Sequence, residues 1–469
     1  MSEVVFPRTP DGRRSTAALG RHVVADALRV VAPDAADAAR NEPDWRRGYL
    51  RHFRALVESS LGSGDAGYEV AAAGLAAVRA RMRVTRDGAE AALGEAFAEP
   101  AGRPLETVTV TGSGRAEREL SLPYRGDLLR GDALARRLDA WVTAGTVEAS
   151  CAEAVREVAA NPDWLDLSDQ RLVVLGAGAE VCPLPAVLGW GGTVIGVDLP
   201  RPDLWARVNA VAAATAGRLI APRGGADLLT DLAAIAQWLL RIEGRLVLGN
   251  YVYAPGADYV RLSAAVDALA THVRDRRPDT ALAFLATPTD VFAVPGNAVA
   301  QANARYRARG VRPRLAAAAS GGRLLRPHYP DGADPGISDS LVAQQGPNYA
   351  LAKRIHRWRA TLARRDGVVS FAVAPPTRTR SVLSNRLLAA AYAGAHLFDV
   401  EVFEPATANK LMAVLLVHHL RRPRPAAKAA WEDEAVAAAH GGLWRTPYQP
   451  RTALGLAAVR GLPTALRRP

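Results

Sequence analysis

The residues in this chain best suited by type and spacing to do chemistry are Tyr349 and Lys353, in the run N-Y-A-L-A-K at 348–353. Four positions apart on an expected helix, the two side chains share one face and can meet. A phenol with a pKa near 10 is a poor acid or base at neutral pH, and an adjacent ammonium favours the phenolate and shifts it toward use. With 11 tyrosines and only three lysines (Lys353, Lys410 and Lys428) in 469 residues, about 0.07 such matches are expected by chance. The plainer alternative is a surface tyrosine packed on a lysine stem.

A second constellation lies upstream. In L-G-A-G-A-E-V, Gly176 and Gly178 follow an apolar run and precede an expected helix, the arrangement that brings backbone N–H groups close to a pyrophosphate. Twenty residues after Gly178, a second apolar run ends in Asp198. A carboxylate there can accept both ribose hydroxyls of an adenosine and repels a 2′-phosphate, which favours NAD, while Arg201 nearby keeps NADP open. The third glycine of the fingerprint is absent, since Val181 holds its position, and Pro183 and Pro185 crowd the first helical turn. Three readings of this region stand side by side: a dinucleotide, S-adenosylmethionine, whose methyltransferases also use a Gly-x-Gly turn and an acid after the second strand, or no ligand at all.

These residues need a frame to hold them, and composition says what kind. At 49% apolar and 23% charged residues the chain is an ordinary globular protein, with a length that fits two or three domains. Neither a secretory leader nor a long apolar span is evident in the sequence, so a cytoplasmic protein without a membrane partner is expected. Cys151 and Cys182 cannot build a disulfide framework and lack the neighbours of a zinc site, so no metal is expected. The net charge of +12 comes almost entirely from arginines spread along the chain, a solvated surface and not a nucleic-acid footprint.

Residues 1–165 read as a mostly helical N-terminal domain, with a hairpin expected within 106–124. From 171 the pattern becomes short apolar runs alternating with amphipathic segments, the signature of βαβ units, an α/β fold with a doubly wound parallel sheet. Strands are expected at 171–178, 193–199, 217–222, 244–250, 280–288 and 368–376, and helices at 348–364 and around 381–394. A last strand is expected within 396–403. The α/β domain then covers 166–420, with an insertion at about 289–345, and 421–469 reads as a tail or capping extension. In the insertion, His328 and Tyr329 are candidates for lining a substrate pocket, and Gln344 and Gln345 for bonding substrate.

Together these segments resemble the short-chain dehydrogenase/reductase family over about residues 171–415. The likeness rests on the Gly176–Gly178 turn, the Tyr349/Lys353 helix after the fifth strand, and Val373-Ala374-Pro375-Pro376 followed by Thr377 and Thr379 after the sixth. It implies a Rossmann fold, an NAD (or NADP) cofactor and hydride exchange with a carbonyl or alcohol. Tyr349 would be the acid/base and Lys353 would lower its pKa and hold the ribose. The turn at Pro375 and Thr379 would face the nicotinamide, Asp227 (or Asp231) would contact adenine, and Asn250 would stand where the family has its Asn-Ala-Gly segment. Thr287 is the nearest substitute for the family's serine. Departures are Glu180 and Cys182 in place of glycines, and no asparagine in the expected helix at 259–273. A small-molecule substrate is the expected partner, and a homo-oligomer is compatible with this fold class. The alternatives are a Rossmann methyltransferase and a non-catalytic scaffold.

Overall fold

The computed structural model describes residues 2–98 and 104–466, so the last three residues of the expected C-terminal extension lie outside the described residues. In chain order, β1 (Ser2–Val5) is followed by α1 (Thr16–Arg29), α2 (Pro33–Arg40), α3 (Trp45–Ser59), α4 (Ala66–Arg81), β2 (Arg83–Arg86) and β3 (Ala89–Ala92). Ser15 caps α1 by accepting from the Ala18 amide, and Asp44 caps α3 through the Arg47 amide. Then come β4 (Thr107–Thr111), β5 (Leu122–Tyr124), β6 (Asp127–Leu129), α5 (Gly131–Thr143) and α6 (Ala149–Ala160).

The α/β part alternates as its hydrophobic pattern demands: β7 (Gln170–Leu175), α7 (Leu184–Gly189), β8 (Thr193–Val197), α8 (Pro202–Ala214), β9 (Arg218–Pro222), α9 (Leu232–Leu240), β10 (Arg245–Asn250), α10 (Asp258–Arg276) and β11 (Ala281–Ala286). The 289–345 insertion carries β12 (Val291–Val294), α11 (Gly296–Ala308), α12 (Val311–Ala319) and β13 (Gly336–Asp339), with β12 and β13 paired antiparallel. After it follow α13 (Gly346–Ala363), β14 (Val369–Val373), α14 (Arg380–Leu383), α15 (Arg386–Gly394), α16 (Pro405–Arg421), α17 (Ala430–Ala435) and α18 (Pro450–Leu466).

Seven strands form the central sheet in the order β14-β11-β10-β7-β8-β9-β4, all parallel except β4, so the α/β fold class holds. The order reverses between β7 and β10, so the connections leaving these two strands go to opposite sides and open a crevice at their C-terminal ends. Parallel strands covered on both faces should be apolar throughout, and β14 and β10 are buried nearly along their full length.

Four expectations change here. The hairpin within 106–124 does not form as one unit: β4 pairs with β9 at the sheet edge, while β5 pairs with β6. Backbone groups along the β9 edge would otherwise be unpaired, and β4 satisfies them. Residues 1–165 do not hold a core of their own. Buried residues from β1 to residue 96 share one core with β7, β8, β10, α10 and α13 on one sheet face, and residues 120–167 share another with β7, α7 and α16 on the opposite face. The stretch 396–403 is not a strand; a 3-10 turn at Ala395–Phe398 is followed by a single bridge between Phe403 and Thr377. The expected tail beyond 421 is also drawn inward, with His440 and Trp444 fully buried.

Candidate active site

The crevice is lined by the segments that leave the C-terminal ends of the parallel strands. At one end lies the turn after β7. Gly176 has φ +90, and a Cβ added there would sit 2.9 Å from the Tyr251 carbonyl oxygen, so this turn requires glycine both for conformation and for close backbone approach. The Gly178 amide donates to Asp198 Oδ2 at 2.8 Å, and the Leu199 amide donates to Asp198 Oδ1 at 2.8 Å. Glycine turn and acid are therefore brought together, and each carboxylate oxygen already accepts one backbone bond. Burial pushes the Asp198 pKa upward against the pull of these two amides, and the nearby Asp227 carboxylate adds to the rise. Asp227 also closes its own turn, accepting from the Leu229 amide at 2.8 Å. Asn250 is buried, and its Oδ1 accepts from the Val252 amide at 3.4 Å.

The remainder of this loop is tied to the opposite rim. Glu180 accepts from the Arg380 side chain (Nε, 2.9 Å) and from the Arg380 amide (2.7 Å). Asn409 bridges the loop, its Nδ2 donating to the Glu180 carbonyl at 2.7 Å and its Oδ1 accepting from the Cys182 amide at 2.8 Å. Pro183 and Pro185 stand at the very start of α7, where a missing N–H does no harm, so they do not distort the turn. On the β14 side Pro375 is buried, and the Thr379 hydroxyl hydrogen-bonds Ser381 Oγ at 3.0 Å.

At the other end, Gly346 (φ +79) turns the chain into α13, which places Tyr349 and Lys353 on one face. Lys353 Nζ donates to the Leu285 carbonyl at 3.3 Å, and the Thr287 hydroxyl interacts with the Tyr349 phenol. Both partners belong to the C-terminal end of β11 and the residues just past it, so Tyr349 and Lys353 each reach that strand end. Tyr259 of α10 lies between them, its ring 5.6 Å from that of Tyr349 and 5.9 Å from Lys353 Nζ.

One expectation is corrected. Lys353 does not bring the Tyr349 pKa down: burial holds the phenol above its ordinary value, opposed by Thr287 and reinforced by Tyr392, Tyr253 and Asp290. Lys353 is itself half-buried beside the end of β11. Burial draws its own pKa down to about 8, against an upward pull from Asp290, so it has a reduced tendency to carry the charge it would lend.

Several residues at this end went unread in the sequence. Asp290 is buried between Arg357 (Nη1 to Oδ2, 2.7 Å) and Arg354 (3.2 Å), and Arg357 also pairs with Glu434 at 2.5 Å, which fastens α13 to the start of the insertion. Tyr259 Oη and His356 Nε2 are buried without a hydrogen-bond partner. Only Arg354 and Arg357, spaced for one helix face, left a trace in the sequence; their acidic partners lie 64 and 77 positions away.

The insertion candidates belong to packing. His328 is buried, stacks on Tyr329 at 4.0 Å and contacts the Thr446 carbonyl at 3.1 Å, and burial lowers its pKa to about 3. Tyr329 donates to the Trp444 carbonyl at 2.7 Å. Gln345 Nε2 donates to Thr289 Oγ1 at 2.7 Å, while Gln344 is exposed.

Two hollows lie elsewhere: a groove of about 470 Å³ beside α11, lined by Asn303, Arg307, Asp331 and Asp334, and a space of about 10 Å³ among Arg364, Phe371, His419 and Asp433. Among the described residues no group of three or more His, Cys, Asp or Glu could hold a metal ion. Among the same residues no helix is long and apolar enough to cross a membrane. Neither a protein-family model nor a curated protein matches the chain.

Proposed function

We propose that the chain is a nicotinamide-dependent oxidoreductase of the short-chain dehydrogenase/reductase type, acting on a carbonyl or alcohol. The observation that carries this reading is that Tyr349, beside Thr287, and Lys353, on the Leu285 carbonyl, both reach the end of β11, in a crevice whose other end holds Gly176, Gly178 and Asp198. Numbered from β7, the parallel strands run 3-2-1-4-5-6, the order of doubly wound dinucleotide folds.

The residues suit such a cofactor. A carboxylate offers about four acceptor sites, and Asp198 spends two on backbone amides, leaving two for a vicinal ribose diol. Arg201 is engaged by Asp203 at 3.0 Å, which supports NAD over NADP. Arg380 offsets the Glu180 carboxylate that would otherwise repel a pyrophosphate. When bound, the nicotinamide would supply or accept the hydride.

Every other step falls to the chain itself. In reduction, Tyr349 donates its proton to the substrate oxygen as the hydride reaches carbon, and its raised pKa keeps it protonated until then. Thr287 donates a hydrogen bond to the same oxygen and holds it against Tyr349. Lys353, whose pKa burial draws down to about 8 and whose Nζ donates to the Leu285 carbonyl, would hold the ribose of the bound cofactor.

Thermal melts with NADH, NADPH and S-adenosylmethionine test the reading. A ligand at a hundredfold excess over its Kd stabilises by about 2.7 kcal/mol. A higher Tm with NADH is expected; stabilisation by S-adenosylmethionine alone, or by none of the three, overturns the proposal.

A further inference from the structure

Helices α14, α15 and α18 stand apart from the two main cores. Ala390, Ala391 and Ala458, with Leu454 against them, make a small cluster of their own. Glycine lets the two longer helices touch backbone to backbone: a Cβ on Gly394 would collide with the Ala457 carbonyl, and one on Gly461 with the Ala390 carbonyl. The outward faces are apolar, with Leu383, Leu387, Leu397, Val459 and Leu462 exposed. Residues 380–398 and 450–466 contain no Asp or Glu but four arginines, Arg380, Arg386, Arg451 and Arg460. Any salt bridge to this unit must therefore use an acid from the body of the protein.

Two such acids are available, Glu180 in the glycine-turn loop and Asp339, whose neighbour Ser340 donates its amide to the Asp290 carbonyl at 3.1 Å at the Tyr349 end. Glu180, in the loop after β7, holds Arg380 at the start of α14 at 2.9 Å. Asp339, at the end of β13 and ten residues before Tyr349, is almost fully buried and holds Arg451 in the first turn of α18, with Arg54 of α3 further off at 3.8 Å. The Asp339 Oδ1 atom has no hydrogen-bond partner, so the pairing rests on one oxygen. Hinge points are available where the unit meets the body: the turn at 377–379, and Asp399, which takes a left-handed conformation at φ +60.

We propose that α14, α15 and α18 form a strap across the crevice, clasped by Glu180–Arg380 and Asp339–Arg451. The strap must loosen to admit a ligand to the Tyr349 end, and the Glu180–Arg380 pair sits where an incoming phosphate would compete for the guanidinium. What lies under the strap rests on the oxidoreductase reading, whereas the clasp does not.

Hydrogen exchange on the full-length chain separates the two. Without nucleotide, Glu180→Gln and Arg451→Gln should each speed amide exchange across 380–398 about fivefold, and together more, while β7, β10 and β11 stay protected. The charge-swapped pair Glu180→Arg with Arg380→Glu should restore wild-type exchange. Unchanged exchange in the Glu180→Gln/Arg451→Gln double variant, or loss of protection throughout the sheet, overturns the strap. Added NADH should slow exchange across 380–398; a rise in Tm with no change there overturns the strap and leaves the oxidoreductase reading standing. Failure of every nucleotide to raise Tm, with the clasp variants still faster, overturns that reading and leaves the strap.

Discussion

The two ends of the crevice are built on opposite principles. At the glycine turn, polar groups are paired within the chain: Asp198 with two amides, Glu180 with Arg380, and the Cys182 amide with Asn409. At the Tyr349 end, burial favours the neutral form of a phenol and of an amine, and Tyr259 Oη and His356 Nε2 lack partners. Each of these two atoms is free to accept or donate a further hydrogen bond. The first end is thus a rigid seat that a ligand can share, and the second is a site whose polar groups await something to bond.

The largest break in this comparison should come from beneath the second end. Asp290→Ala leaves Arg354 and Arg357 without their shared buried carboxylate, and such a loss destabilises by about 3–5 kcal/mol. Urea unfolding followed by circular dichroism measures it, and Asp290→Asn should lose less. A change below 1 kcal/mol would mean that the network does not hold α13 in place.

Next in size is the rigidity of the first end. Gly176→Ala forces a side chain into a positive-φ position against Tyr251 and should cost about 1–3 kcal/mol. Gly189→Ala, where an added Cβ meets nothing within 4 Å, should stay within about 0.5 kcal/mol. Equal effects in the two variants would remove the claim that the turn needs glycine.

A pH series sharpens the other half. Because Lys353 has its pKa lowered to about 8 in the folded protein, against about 10.4 for an unperturbed lysine, the unfolded chain binds more protons between these values. Stability attributable to this group should therefore rise with pH from about 8 to 10. Lys353→Met should flatten that rise in denaturant midpoints measured at pH 7, 8, 9 and 10; an identical slope would place the lysine in solvent. Smallest is Thr287→Val, which removes one hydroxyl from Tyr349 and Thr289 and should cost about 0.5–1.5 kcal/mol.

The sequence reading caught what is local. The six parallel strands were legible from their apolar runs, and the Gly178–Asp198 contact from spacing alone, because strand and turn geometry act over a few residues. It missed what depends on distant partners. β4 looks like half a local hairpin until β9 offers it an edge, and the N-terminal helices look like a domain until the sheet faces they cover are known. The direction of the Tyr349 shift is of the same kind: spacing puts an amine on the same helix face, but the burial that raises the phenol's pKa depends on distant parts of the chain.

The central claim is that a nicotinamide lies beside Tyr349 while its adenosine rests on Asp198. A crystal structure of the protein soaked with NADH tests this most directly. The account predicts the adenosine ribose on the Asp198 carboxylate and the nicotinamide ring within hydrogen-bond distance of Tyr349 and Thr287. A dinucleotide bound elsewhere, or one whose nicotinamide points away from β11, would contradict it.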